Sequence, residues 1–412
     1  MSLRTTTFLT LCTWLSSLTI NGLPLRRPLS VQLTEAEMRR NPESWMLDFQ
    51  STLKWDYSHG LELGAMLDVA ESYRRRDIAD YVQAYADTFV RSDGSIRTYR
   101  LDEYSLDRIN TGKLLFRVYR QTKEQRYLSA LQLLRSQLDT HPRNADGGFW
   151  HKKVYPHQVW LDGVYMATPF LAEYTYRYVA PVDSAEAQRA YDDVVLQILQ
   201  AARHTYDPQT GLYRHACDVS RQMFWCDSVS GQSAECWGRA LGWYMMAVVD
   251  ALDFIPQQTA GRDSVLQVLQ TIADGLDRWK DPETGLWYQV LDKHRHIPLH
   301  YDQPRNPYAD NYLESSCSAM FIYSLLKACR QGYLPKRYRK LATRAYNNYI
   351  RQFVYKDVDG QLCIRNACAV AGLGGANHRP GTFDYYVHES RRANDPKAVG
   401  PFIKASLLME GR

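Results

Sequence analysis

Four short segments of one design recur along this chain and constrain its fold more than anything else in it. Asn144-Ala145-Asp146-Gly147-Gly148-Phe149-Trp150 is the first, and Asp207-Pro208-Gln209-Thr210-Gly211-Leu212-Tyr213 the second. Asp281-Pro282-Glu283-Thr284-Gly285-Leu286-Trp287 follows, with Asp357-Val358-Asp359-Gly360-Gln361-Leu362 as a degenerate copy. Their glycines, 147, 211, 285 and 360, stand about 64, 74 and 75 residues apart. Asp and Gly make a tight turn, because the short carboxylate bonds its own backbone and Gly accepts a positive φ. The aromatic residues after the turn read as a strand-like exit.

Between the turns the hydrophobic period is helical. Leu63, Met66, Leu67, Ala70 and Tyr73 fall on one face, as do Ile78, Tyr81, Val82, Tyr85 and Phe89. The spacing returns at Val194, Val195, Ile198, Leu199 and Ala202, at Leu241, Met245, Val248, Val249 and Leu252, and at Leu341, Ala345, Tyr346, Tyr349 and Ile350. Steps of three and four residues sustained this long predict amphipathic helices, and period-2 alternation is scarce. The expectation is an all-α chain of helical hairpins closing into a toroid. An open solenoid would have shorter and more regular repeats. A toroid reaches 412 residues as one unit, and no Pro/Ser-rich linker interrupts residues 40–412, so a single domain is expected.

The N-terminus reads as an export signal over residues 1–22. Arg4 supplies the positive end, and Phe8 to Ile20 is an apolar stretch too short to span a bilayer. Cys12 sits in a poor lipoprotein box. This places the protein in the periplasm or outside the cell; the competing reading is a disordered leader on a cytoplasmic protein. No membrane contact is expected beyond that leader. The seven remaining cysteines form no C-x-x-C pair and no zinc spacing, so neither metal nor cofactor is expected, and at most one disulfide. The net charge is +5 with Lys and Arg scattered, which argues against nucleic acid and mildly for an anionic small substrate. The 10 Trp and 29 Tyr suit a cleft that stacks flat ligands.

Loops at one end of such a ring form a bowl, where catalytic groups are expected. Asp162 lies in Trp160-Leu161-Asp162-Gly163-Val164-Tyr165-Met166, crowded in sequence by Trp150, His157 and Trp160. A carboxylate among aromatic rings loses solvation, which favours the protonated form that a general acid needs. An ordinary Asp-Gly turn or helix cap is the bland alternative. Asp107, in Ser105-Leu106-Asp107-Arg108-Ile109, begins a helix one hairpin earlier and could face Asp162 across the bowl; capping is again the alternative. Arg239 and Trp243, in Trp237-Gly238-Arg239-Ala240-Leu241-Gly242-Trp243, share one helix face. A guanidinium beside an indole suits a carboxylated sugar, and Gly238 and Gly242 would admit a ligand or another helix. His215 leaves one of the repeat turns toward the mouth. Asn311 to Met320, Gly381 to Tyr386 and Asp395 to Phe402 could line the bowl or serve as caps and turns.

Together these segments resemble the unsaturated glucuronyl/rhamnogalacturonyl hydrolases of glycoside hydrolase family 105, from about residue 45 to the C-terminus. The resemblance rests on W-x-D-G-x-Y-M, W-G-R-x-x-G-W-Y, G-L-W-Y-Q-V-L-D, N-Y-L-E-S-S, G-T-F-[DE]-Y-Y and D-P-K-x-V-G-x-F. It implies an (α/α)6 barrel of six hairpins, without a metal, acting on the Δ4,5-unsaturated uronic acid that lyases leave at a non-reducing end. It also implies that Asp162 is the general acid/base and Asp107 the second carboxylate. His215, Arg239 and Trp243, with Trp160 and Trp237, would be the substrate-binding set. Cys217 departs from the family pattern, standing where Trp is frequent, and puts the leaving-sugar preference in doubt.

The chemistry so implied is hydration of the C4=C5 enol ether. Asp162 would protonate C4 and then help deliver water to C5, giving a hemiketal that opens and expels the leaving sugar. Asp107 would orient water or stabilise charge, and Arg239 would hold the carboxylate. A pectin-derived disaccharide is the favoured substrate, with ulvan, alginate-like and glycosaminoglycan fragments as alternatives, and a monomer is expected. The competing readings are a polysaccharide lyase, an inverting glycosidase working through two spaced carboxylates, and a sugar-binding protein with a dead site.

Overall fold

Each turn of the repeat hands the chain from an outer helix to the next inner one, and this exchange builds the whole ring. The computed structural model describes residues 27–293 and 310–412, with the backbone of residues 19–20 and 23–24. The expected leader, Cys12 included, lies outside the described residues but for residues 19–20. The inner helices are α2 (Tyr57–Tyr73), the broken pair α4 (Asp107–Asn110) and α5 (Lys113–Thr122), α7 (Leu161–Tyr174), α9 (Gly238–Ala251), α11 (Ser315–Arg330) and α14 (Pro396–Met409). Each packs on the next, and α14 returns to α2. The outer helices are α1 (Leu29–Arg40), α3 (Arg76–Phe89), α6 (Gln125–Thr140), α8 (Ser184–Thr205), α10 (Arg262–Trp279) and α12 (Lys336–Phe353). The last hairpin is closed by α1, the first helix among the described residues, packed on α14. The fold is an (α/α)6 toroid.

The two rings differ in their sequences as their positions require. Inner helices are enclosed on all sides, so α9 is buried from Gly238 through Val249. Outer helices bury only a stripe, as α12 does with Tyr338, Ala342, Ala345, Tyr346, Tyr349, Ile350 and Phe353. One continuous core of these side chains runs around the ring.

The four turns follow α6, α8, α10 and α12. Gly147, Gly211, Gly285 and Gly360 all have φ between 72° and 89°, where an L side chain is strained. The preceding aspartates cap the turn backbone: Asp207 accepts from Gln209 N at 3.0 Å and Asp281 from Thr284 N at 2.7 Å. A fifth turn, after α3, escaped the pattern because it lacks the aromatic exit. There Gly94 has φ 83° and Asp93 accepts from Ser95 N at 2.9 Å. All these turns lie at the end of the ring where the inner helices begin. The seven described cysteines are free. Among the described residues no helix is long and apolar enough to cross a membrane, and none of their His, Cys, Asp and Glu groups clusters as a metal site.

Candidate active site

Two short strands, Gln158–Trp160 and Ala216–Asp218, pair antiparallel with Trp160 opposite Ala216. This pairing sets His215 beside the start of α7, and Leu161 N bonds the His215 carbonyl at 3.2 Å. Asp162 occupies the first turn of α7. Its Oδ2 lies 3.3 Å from His215 Nε2, yet neither atom makes a hydrogen bond within the protein. On its other side the fully buried imidazole is held through Nδ1 by the Tyr386 hydroxyl at 2.6 Å. Burial pushes the Tyr386 phenol well above its ordinary pKa, so the hydroxyl keeps its proton. The Tyr386 hydroxyl thus fixes the orientation of the imidazole, with Nε2 turned toward Asp162.

Asp107 opens α4 and is ion-paired by Lys152, with His151 Nε2 at 3.5 Å from its other oxygen. Burial pushes its carboxyl up, but the Lys152 ammonium outweighs this and holds it below the usual carboxylate range. Burial also lowers His151 to about 4, so that ring is neutral at ordinary pH. His151 stacks on Trp160 at 4.8 Å and 13°, and Tyr155 stacks on Trp160 at 5.3 Å and 6°. Three near-parallel rings thus form one platform. They line a cleft of about 830 Å³ together with Asp107, Asp162, Lys152 and Tyr57.

The remaining sequence candidates sit deeper. Trp237 precedes α9 and packs on His215 at 4.7 Å, behind the cleft wall. Arg239 is 1% exposed, with Nη1 donating to the Cys368 carbonyl and toward Ser316 Oγ. It lies beneath the cleft, not on its lining. Trp243 packs between Tyr57 and Tyr165 in the body of the ring. Gly238 and Gly242 admit another helix and not a ligand, since a Cβ there would meet Cys317 Sγ at 2.9 Å and Met320 Sδ at 2.7 Å. Of the three C-terminal segments, the first is a cap: Glu314 accepts from Cys317 N at 2.7 Å and Cys368 N at 2.9 Å. The second places Tyr386, on α13 (Phe383–His388), against His215. In the third, Asp395 caps α14 and Lys397 reaches the cleft wall.

A family model described as Glycosyl Hydrolase Family 88 matches residues 29–411. The chain belongs to that family. A C. acetobutylicum glycoside hydrolase from family 105 is 35% identical, with TM-score 0.85 over 94% of this chain and 100% of the other. The unsaturated rhamnogalacturonyl hydrolase YesR of Bacillus subtilis is 26% identical over 289 residues, which are 68% of this chain and 72% of YesR. An unsaturated glucuronyl hydrolase from Bacillus sp. GL1 shares the fold, at 15% identity and TM-score 0.62, over 92% of this chain and 95% of the other. This chain is therefore a glycoside hydrolase of the family 88 and 105 group. Within that group its cleft is assembled from α2, α4, α7 and the loops before them, together with C-terminal segments that bring Ala371, Arg379, Arg392 and Lys397 to its wall. His151, Lys152 and Tyr155 escaped sequence reasoning, although they directly follow the first repeat turn, whose aromatic exit already pointed at the bowl.

Proposed function

We propose that this glycoside hydrolase releases a Δ4,5-unsaturated uronic acid from the non-reducing end of lyase-generated oligosaccharides. The observation that carries the reading is Asp162 on the cleft lining, backed by the buried His215 at 3.3 Å and flanked by the aromatic platform. A half-planar unsaturated ring stacks on such a platform. Asp162 then protonates C4 of the enol ether, and as a carboxylate it helps water add at C5. The hemiketal opens and expels the leaving sugar. Asp107, kept ionised by Lys152, stabilises positive charge developing on the ring. Two cations on the cleft wall, Lys153 and Arg379, face no carboxylate among the described residues and favour an anionic ligand. The rhamnogalacturonyl leaving group is the working choice, because YesR is a relative with that activity in its name.

The test follows ultraviolet absorbance of the conjugated enol in a panel of Δ4,5-uronyl disaccharides. Loss of absorbance, abolished by Asp162→Asn, supports the reading. No loss with any of them, with a rise on intact polyuronide, replaces it with a lyase.

A further inference from the structure

The Lys and Arg residues look scattered in sequence, but α12 gathers five of them in one place. Lys336, Arg339, Lys340, Arg344 and Arg351 line one groove of about 920 Å³ on the outer wall of the toroid. Steps of four, four and seven residues place Lys336, Lys340, Arg344 and Arg351 on one helical face. At 1.5 Å per residue this stripe runs about 22 Å. The only carboxylate lining the groove among the described residues is Glu283. None of the five cations is ion-paired among the described residues. Arg344 spends Nη2 on the Pro282 and Glu283 carbonyls, and Arg351 bonds the Asn348 amide oxygen. By contrast, neighbouring Arg337, outside the groove, pairs with Asp274 at 3.0 Å.

We infer that this groove is a second, non-catalytic binding site for an extended anionic polysaccharide. The inference rests on the proposed uronyl substrate for its choice of polyanion. A row of uncompensated cations binds a row of like charges, with an affinity that salt weakens. Between the cations lie Thr343, Asn347 and Asn348, whose polar groups suit sugar hydroxyls. No aromatic ring lines the groove, so bases of a nucleic acid would find no stacking surface. The groove shares no lining residue with the catalytic cleft. A polyuronide held there would raise the local concentration of the chain ends that reach the cleft.

Affinity electrophoresis of the full chain through gels containing polygalacturonate tests this, with duplex DNA as the competing probe. The variant K336E/K340E removes two cations that make no side-chain hydrogen bond or ion pair among the described residues, and so should leave the fold undisturbed. Wild type should be retarded by polygalacturonate, less so at high salt, and the variant should bind about tenfold more weakly. The rate on an unsaturated disaccharide should be unchanged in the variant. Absence of retardation in wild type, equal retardation of the variant, or equally strong retention by duplex DNA would each overturn the inference. Retardation without turnover of any disaccharide would keep this site and remove the proposed activity instead.

Discussion

Asp162 Oδ2 and His215 Nε2 face each other across 3.3 Å, and the protein gives neither a hydrogen-bond partner. A buried polar atom without a partner costs about 1–3 kcal/mol. Asp162 stands in the first turn of α7, directly after the strand Gln158–Trp160, and the pairing of that strand with Ala216–Asp218 brings His215 beside it. A small realignment of either group would turn the contact into a hydrogen bond and recover that cost.

Tyr386 should be a positioning residue. Its hydroxyl is bonded to His215 Nδ1 at 2.6 Å, and its ring stacks near Trp237 at 5.8 Å. Tyr386→Phe keeps the ring and removes the hydroxyl, and with it the bond that fixes the orientation of the imidazole. We expect kcat to fall roughly tenfold, the equivalent of one hydrogen bond, with KM nearly unchanged. A purely structural role would lower thermal stability without this split between kcat and KM.

Asp107 offers a test through pH. Lys152 is the largest influence holding its carboxyl down against burial. Lys152→Met keeps the stem and deletes the charge, so the carboxyl should rise toward and beyond the usual range. The acid limb of the kcat/KM profile should then move to higher pH by about one unit or more. The alkaline limb should stay in place. An unmoved acid limb would show that ionised Asp107 is not required.

Much of this site was legible in the sequence, and the failures have a common physical origin. Asp162, Asp107 and His215 each stand within a few residues of a helix start or a repeat turn, so local pattern placed them at the mouth of the ring. Arg239 and Trp243 were placed together correctly on one face of α9. Periodicity does not say whether an inner-helix face looks along the bowl or into the ring, and both proved to lie deeper. The Tyr386–His215 bond joins residues 171 positions apart, and no local spacing reports such a contact. The six hairpins came from the resemblance, since the turn motif alone showed only four of the repeats.

Two buried imidazoles should make the fold acid-sensitive. Burial lowers His141 and His151 to about 4 from an ordinary value of 6.5. Between these limits the unfolded chain binds protons that the folded chain refuses, so stability rises with pH across this window and falls as pH drops. Each ring contributes up to about 1.4 kcal/mol per pH unit. Buried acids such as Glu62, raised well above their ordinary value by burial, act in the opposite sense. The informative measurement is therefore a difference between variants. His141→Gln retains a donor for the Trp150 carbonyl, now bonded by Nε2 at 2.8 Å. Its melting temperature should decline less steeply than that of wild type from pH 7 to 5. Parallel slopes would mean that His141 takes up its proton alike in the folded and the unfolded chain.

The position of Asp107 depends on how closely two inner helices approach, and Gly60 controls that distance. A Cβ on Gly60 would sit 2.5 Å from Thr111 Cα and 2.8 Å from Thr111 N, both backbone atoms that cannot swing aside. Thr111 directly follows α4, whose Arg108 carbonyl accepts from Trp55 Nε1 and whose Asn110 side chain donates to the Tyr57 carbonyl, each at 2.8 Å. Gly60→Ala must push α4 away from α2 and carry Asp107 with it. We expect a loss of about 1–3 kcal/mol in stability, together with a fall in kcat/KM of at least about tenfold as Asp107 leaves its place. Gly64, one turn later on the same helix, is the control. A Cβ there meets only Leu114 Cδ2 at 3.9 Å, an ordinary contact. Gly64→Ala should leave activity intact and raise stability by up to about 1 kcal/mol through helix propensity. Melting curves and kcat/KM for the two variants separate the readings. Equal behaviour of both alanines would show that the α2–α4 contact does not position the carboxylate.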